Sequence, residues 1–84
     1  MTTRQILDLA RKHLGNGAAM DSSARSCVAD AEYQLEGAAD AERAGDFGAA
    51  NRKRAVARGW AVRSLKYSVG IFHADYVAAA KVAS

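Results

Sequence analysis

The sequence predicts an all-α protein, and three observations support this prediction. Half of the 84 residues are hydrophobic, but twenty of these are Ala, the best helix former, and the chain contains no Pro. Apolar residues recur at helical spacing in three segments, and residue types that cap helices lie between them. We therefore expect one domain over residues 1–84, a small three-helix bundle in which a short N-terminal helix packs on a long antiparallel hairpin.

The first predicted helix covers residues 3–14. Thr2 and Gln5 have the spacing of a capping box, in which each side chain accepts a hydrogen bond from the other residue's backbone N–H. The inward face of this helix is Ile6, Leu7, Ala10, His13 and Leu14. Residues 15–17, of sequence Gly-Asn-Gly, end the helix because Gly and Asn tolerate the left-handed conformation that closes a helix. A short linker to Met20 follows.

The second predicted helix begins at a cap formed by Asp21 or Ser22. Its inward stripe is Ala24, Cys27, Val28, Ala31, Leu35 and Ala38. The helix should stop near Gly45, and Asp46 should cap the third helix, whose apolar face begins at Phe47. This short connection predicts the hairpin.

The third predicted helix carries a narrow strip of small residues, which lets helix backbones approach closely. The strip is Ala50, Ala57, Ala61, Ser64 and Ser68. It is flanked by Phe47, Leu65 and Phe72 on one side and by Val56, Trp60, Tyr67 and Ile71 on the other. We find no strong stop signal before the chain end, and about 35 residues of helix would extend well beyond helix two. Three arrangements cover the distal part: helix one packs there, the helix kinks at Gly59 or Gly70, or a second subunit binds.

Charge divides the chain into two halves. Residues 1–46 hold five basic and eight acidic side chains, whereas residues 47–84 hold seven basic side chains and the single acid Asp75. An acidic and a basic helix that lie antiparallel neutralise each other, so the division is first a folding signal. Arg54 and Arg58 should point towards the hairpin interface, and Arg52, Arg63 and Lys66 should lie opposite the small-residue strip. The latter three form a solvated face or, alternatively, a surface for an anionic partner.

Aromatic residues supply the other candidates for partner binding. We expect Trp60 and Phe72 in the core, because this chain has few large apolar side chains. Tyr33 should point outwards from helix two, and Tyr76 is less strongly predicted to be core than Trp60. The candidate partner-binding residues are therefore Arg52, Arg63, Lys66, Tyr33 and Tyr76.

The sequence offers little for catalysis or metal binding. Cys27 has no partner for an intramolecular disulfide, and its inward position predicts a small apolar side chain, not a nucleophile. His73 and Asp75 are two residues apart, and on a helix such side chains point in different directions. His13 lies far away in sequence, on an inward face. We therefore predict no enzyme activity, no metal site and no cofactor.

Function is then predicted to lie in macromolecular contact. The N-terminus lacks the apolar run of a signal peptide, and no stretch is long and apolar enough for a membrane span, so we expect a cytoplasmic protein. The leading hypothesis is a small adaptor, accessory subunit or inhibitor, of the type common in phages and mobile elements, that binds another protein. The alternative is a nucleic-acid-binding bundle that uses helix three. Self-association through the distal third helix is a further alternative.

Overall fold

The computed structural model describes residues 1–15 and 22–83, and the side chains among these up to residue 81. It contains helices α1 (Thr3–Gly15), α2 (Ser22–Arg43), α3 (Phe47–Val69) and α4 (Ala74–Ala83). No β-strand occurs in this part of the chain, and α2 packs extensively against α3, with α1 packed on α3. The all-α fold with a long hairpin is confirmed. The predicted linker as far as Met20 and the proposed cap at Asp21 lie outside the described residues.

The predicted helix ends are formed by local hydrogen bonds. The backbone N–H of Thr2 donates to Gln5 Oε1 at 2.7 Å and that of Gln5 to Thr2 Oγ1 at 3.2 Å, which is the capping box. Asp46 Oδ1 accepts from the backbone N–H of Ala49 at 3.0 Å and caps α3. Gly45 closes the hairpin with a φ of 80°, a conformation that favours glycine.

The hairpin core is formed mainly by small side chains. Ala24, Cys27, Ala31 and Ala38 of the predicted α2 stripe are buried, while Val28 and Leu35 are partly buried. Four residues of the predicted α3 strip are fully inaccessible: Ala50, Ala57, Ala61 and Ser64. The Ser64 hydroxyl donates to the Ala61 carbonyl at 2.7 Å, so its burial leaves no donor unpaired. Small side chains thus allow α2 and α3 to pack closely, as the sequence indicated.

Helix α1 brings the larger side chains of the core. Ile6 and Leu7 are fully buried and join Leu65 of α3 and Ala79 of α4 in one cluster. Opposite charges also connect the helices: Arg11 of α1 pairs with Glu32 of α2. Arg54 Nη1 of α3 lies 3.2 Å from Glu42 Oε1 of α2, so this ion pair crosses the hairpin as the charge division predicted.

The third helix is interrupted, which corrects the expectation that nothing stops it before the chain end. It ends at Val69, and Gly70 follows with a φ of 87°. The Gly70 N–H donates to the Lys66 carbonyl at 2.7 Å, after which the chain turns and α4 folds back against α3. Of the two glycines considered, Gly59 remains inside α3 and Gly70 is the break. The distal part of α3 is therefore covered from within the chain, by α1 and α4.

This interruption overturns the prediction that Phe72 is a core residue. Phe72 lies in the turn after Gly70, where the helical register of α3 no longer applies, and it is 92% exposed. Phe47, expected to begin the apolar face, is 61% exposed at the other end of α3. Trp60 is partly buried against the core. Every helix in the described part of the chain is too short or too polar to span a membrane.

Candidate binding face

One side of α3 displays large side chains at helical spacing. Val56, Trp60, Arg63 and Tyr67 follow one another at intervals of four, three and four residues, which places them on one stripe of the helix. Val56 is 46% exposed and Tyr67 is 43% exposed. We call this stripe the Trp60 face.

Arg63 and Trp60 form the centre of the Trp60 face. The Arg63 guanidinium carbon lies 5.0 Å from the centroid of the Trp60 ring, within the range of a cation–π interaction. Because the indole is partly buried against the hydrophobic core, it gives the more flexible Arg63 side chain a fixed surface on which to rest. The pair thus presents an apolar ring and a positive charge side by side.

Helix α2 forms the other wall of a crevice beside this pair. The crevice has a volume of about 550 Å³ and is lined by Ser22, Ser23, Ser26, Cys27, Asp30, Trp60, Arg63 and Tyr67. Tyr33 follows Asp30 by one helical turn on the same side of α2 and is 70% exposed, which confirms its predicted outward position. Apolar, hydroxyl and charged groups of both signs therefore meet in one concave surface.

A second groove lies between α3 and α4, on the other side of Arg63. Its volume is about 450 Å³, and its lining residues are Ala55, Arg58, Gly59, Val62, Arg63, Lys66 and Tyr76. Arg63 borders both depressions, and the candidates Lys66 and Tyr76 belong to this groove. Arg52 is exposed one turn before Val56 and lines neither.

Five of the six basic side chains of α3 fall into two groups. Arg54 pairs with Glu42, and Arg58 Nη2 donates to the Met1 carbonyl at 2.8 Å, so these two hold the bundle together. No carboxylate among residues 1–15 and 22–83 forms an ion pair with Arg52, Arg63 or Lys66. These three, which the sequence singled out, leave a positive surface around the Trp60 face.

A separate polar cluster joins α1 to the start of α4. His13 Nε2 lies 2.9 Å from Asp75 Oδ2, and because a carboxylate only accepts, this nitrogen carries the donated proton. The rings of His13 and His73 meet edge to face with centroids 5.0 Å apart. The hydrogen bond from His13 lowers the pKa of Asp75, burial opposes the shift, and the nearby charges of His73 and Lys12 add to the lowering.

Sequence analysis did not predict this cluster because two of the assumptions behind the prediction are wrong. His73 precedes α4 and occupies its N-cap position, where its Nδ1 accepts a hydrogen bond from the Asp75 backbone N–H at 3.1 Å. The rule that helical residues two apart diverge therefore does not apply to His73 and Asp75. His13 reaches them across 62 residues only because α4 folds back after Gly70, and no local pattern signals such a contact.

The remaining candidate for chemistry, Cys27, is 5% exposed in the wall of the crevice beside Trp60. Its burial confirms the predicted register of α2. Comparisons with protein-family models, with curated proteins and with solved structures found no match for this chain. The arrangement of its own side chains is therefore the basis for any functional proposal.

Proposed function

We propose that this protein acts by binding another protein, without catalysing a reaction, and that the Trp60 face is its contact surface. The observation that carries the proposal is the stacking of Arg63 over Trp60 beside an open crevice. Trp, Tyr and Arg are the residue types that dominate the energetic centres of protein interfaces. An aromatic ring already held by its own core loses little conformational freedom when a partner binds.

The chemistry of the face indicates what the partner offers. An apolar side chain of the partner would fill the crevice beside Trp60, and an acidic one would meet Arg63. Arg52 and Lys66 extend the positive charge on either side and favour a partner with an acidic rim. This describes an adaptor, accessory subunit or inhibitor that recognises an acidic and apolar protein surface.

A protein suits this surface better than a nucleic acid does. Asp30 lies in the crevice with Arg63, so a phosphate backbone crossing the face would meet a negative charge there. The net charge of the whole chain is only +3, whereas dedicated nucleic-acid-binding domains are usually more strongly basic.

Affinity capture with matched charge reversals tests the proposal. The wild-type protein, Arg63→Glu and Arg4→Glu are used as bait in extract from the source cells, with and without nuclease. Arg4 is exposed on α1, so its variant carries the same change of net charge away from the face. We expect a discrete protein that survives nuclease treatment, is lost with Arg63→Glu and is retained with Arg4→Glu. Equal capture by both variants would show that the Trp60 face is not the contact surface.

Direct titration distinguishes the nucleic-acid alternative. Nonspecific complexes have dissociation constants of roughly 10⁻⁴ to 10⁻⁶ M at physiological salt, and we expect this protein to bind RNA and DNA no more tightly than that. Submicromolar binding at ~150 mM salt, lost when Arg52, Arg63 and Lys66 are all replaced by Gln, would favour the nucleic-acid function instead.

A further inference from the structure

The cluster of His13, His73 and Asp75 contains two imidazoles where the fold uses one hydrogen bond and one helix cap. The hydrogen bond between His13 and Asp75 joins α1 to α4, and His73 caps α4, a role that Ser, Thr, Asp or Asn usually fills. His73 adds a second imidazole that is 42% exposed and touches His13 edge to face. Two imidazoles and one carboxylate are ligands that first-row divalent metals accept, and Zn²⁺ sites that keep a position open for water use three protein ligands.

The distances in the cluster are compatible with such an ion. One candidate ligand atom from each side chain lies within 4.8 Å of those of the other two, and this is the single group of that kind in the described part of the chain. A tetrahedral Zn²⁺ with bonds of about 2.0–2.2 Å holds its ligand atoms roughly 3.3–3.6 Å apart. Asp75 Oδ2 lies 2.9 Å from His13 Nε2 and 3.8 Å from His73 Nδ1, which bracket that separation.

We propose that His13, His73 and Asp75 bind Zn²⁺ or a similar divalent transition metal, with the remaining coordination position filled by water. The ion takes the place of the proton on His13 Nε2, which moves to Nδ1 of the same ring when the imidazole is neutral and to solvent when it is cationic. At His73 Nδ1 the ion replaces the 3.1 Å hydrogen bond from the Asp75 backbone N–H. All three side chains are partly exposed, so the ion can enter from solvent. Once bound, it ties the last turn of α1 to the first turn of α4.

Calorimetric titration of chelator-stripped protein with ZnCl₂ tests the site, at about pH 7.5, where free histidine is mostly neutral. We expect one equivalent to bind and the thermal midpoint to rise with metal concentration, because an ion that binds the folded chain preferentially stabilises it. With Co²⁺ in place of Zn²⁺, four-coordinate binding gives visible absorption bands that report imidazole and carboxylate ligation. Neither heat nor a change in midpoint at excess Zn²⁺ would overturn the proposal.

Variants locate the ion. His73→Gln removes a ligand and the side-chain cap of α4, and keeps the hydrogen bond between His13 and Asp75. We expect circular dichroism to show a folded protein while metal binding weakens. Loss of a side chain that hydrogen-bonds to a ligand reduces metal affinity by roughly 10–100-fold. Loss of a direct ligand should reduce it by more. Asp75→Asn should weaken binding similarly, and Asp8→Asn, the matched neutralisation of an exposed carboxylate on α1, should not.

Cys27 provides the last control, because a thiolate is the other strong zinc ligand in the chain. Cys27→Ser should bind Zn²⁺ as tightly as the wild type. Retention of full affinity by both His73→Gln and Asp75→Asn, or its loss in Cys27→Ser, would place the ion elsewhere and overturn the assignment. None of these results depends on the Trp60 face, so the two proposals succeed or fail independently.

Discussion

The two sides of α3 are built from different kinds of residue. The side that packs against α1 and α2 is lined by the small residues Ala50, Ala57, Ala61 and Ser64, with Leu65 the one large apolar side chain that is fully buried. The neighbouring flank of the helix, its outer side, carries Val56, Trp60, Arg63 and Tyr67. Burial between α2 and α3 therefore comes from the close approach of backbones, and several of the largest apolar side chains of α3 are left at the surface.

The difference shows how a small chain combines a stable fold with a contact surface. A chain of 84 residues buries a limited fraction of its surface, so each large side chain kept outside reduces the apolar area available for stability. The small-residue interface compensates by close packing between α2 and α3. The large residues on the outer side then remain available to a partner.

The largest expected effect comes from the one large residue on the inner side. Leu65→Ala removes a fully buried side chain from the cluster that joins α1, α3 and α4, and should reduce the free energy of unfolding by ~2–5 kcal/mol. Urea unfolding followed by circular dichroism measures it. Tyr33→Ala, on the exposed side of α2, is the control and should change stability by no more than about 0.5 kcal/mol. Similar losses of unfolding free energy in both variants would show that buried and exposed large side chains contribute equally to stability.

A smaller effect should come from enlarging the strip. Ala61 is fully buried, and Ala61→Leu forces extra volume into a close-packed interface, which should destabilise the protein by ~1–3 kcal/mol. Ala55→Leu is the matched control, because Ala55 is exposed on the same helix. Equal tolerance at the two alanines would mean that the small residues of α3 do not set the distance between helices.

The sequence predicted the caps and the faces of the hairpin well, and the course of the chain after α3 less well. Capping patterns such as Thr2 with Gln5, and Asp46 ahead of Ala49, depend on residues three apart, so they can be recognised without the tertiary structure. The buried stripe of α2 follows from helical periodicity for the same reason. Tyr33 was correctly placed outside because it lies opposite that stripe.

The errors arose where the chain changes direction. A glycine inside a helical pattern is either tolerated or terminates the helix, and only packing decides between Gly59 and Gly70. Once α3 was extended through Gly70, the helical wheel placed Phe72 on the inner flank, although it lies in a turn. The contact of His13 with Asp75 was missed for the same reason, since it exists only because α4 folds back.

Replacing each of these two glycines by Ala should change the stability of the protein in opposite directions. Gly70 has φ 87° and ψ 158°, a region that side chains avoid, so Gly70→Ala should cost of order 1–3 kcal/mol. Gly59 lies inside α3, and an added Cβ would meet no atom within 4 Å beyond its chain neighbours and the backbone of its own helix, so Gly59→Ala should stabilise the protein by ~0.5–1 kcal/mol. Thermal unfolding of both variants checks the signs. Destabilisation at Gly59 and stabilisation at Gly70 would indicate that α3 breaks at Gly59 instead.

The smallest effect is expected at Phe72, which is 92% exposed in the turn between α3 and α4. Phe72→Ala removes a large ring that touches little of its own chain, so the free energy of unfolding should change by no more than about 0.5 kcal/mol. The measurement is repeated over a hundredfold range of protein concentration, because a second copy of the chain that covered Phe72 would make wild-type stability depend on concentration. We expect no such dependence. A midpoint that rises with concentration in the wild type but not in Phe72→Ala would show that self-association buries this ring, and would extend the contact surface from the outer side of α3 to the turn that follows it.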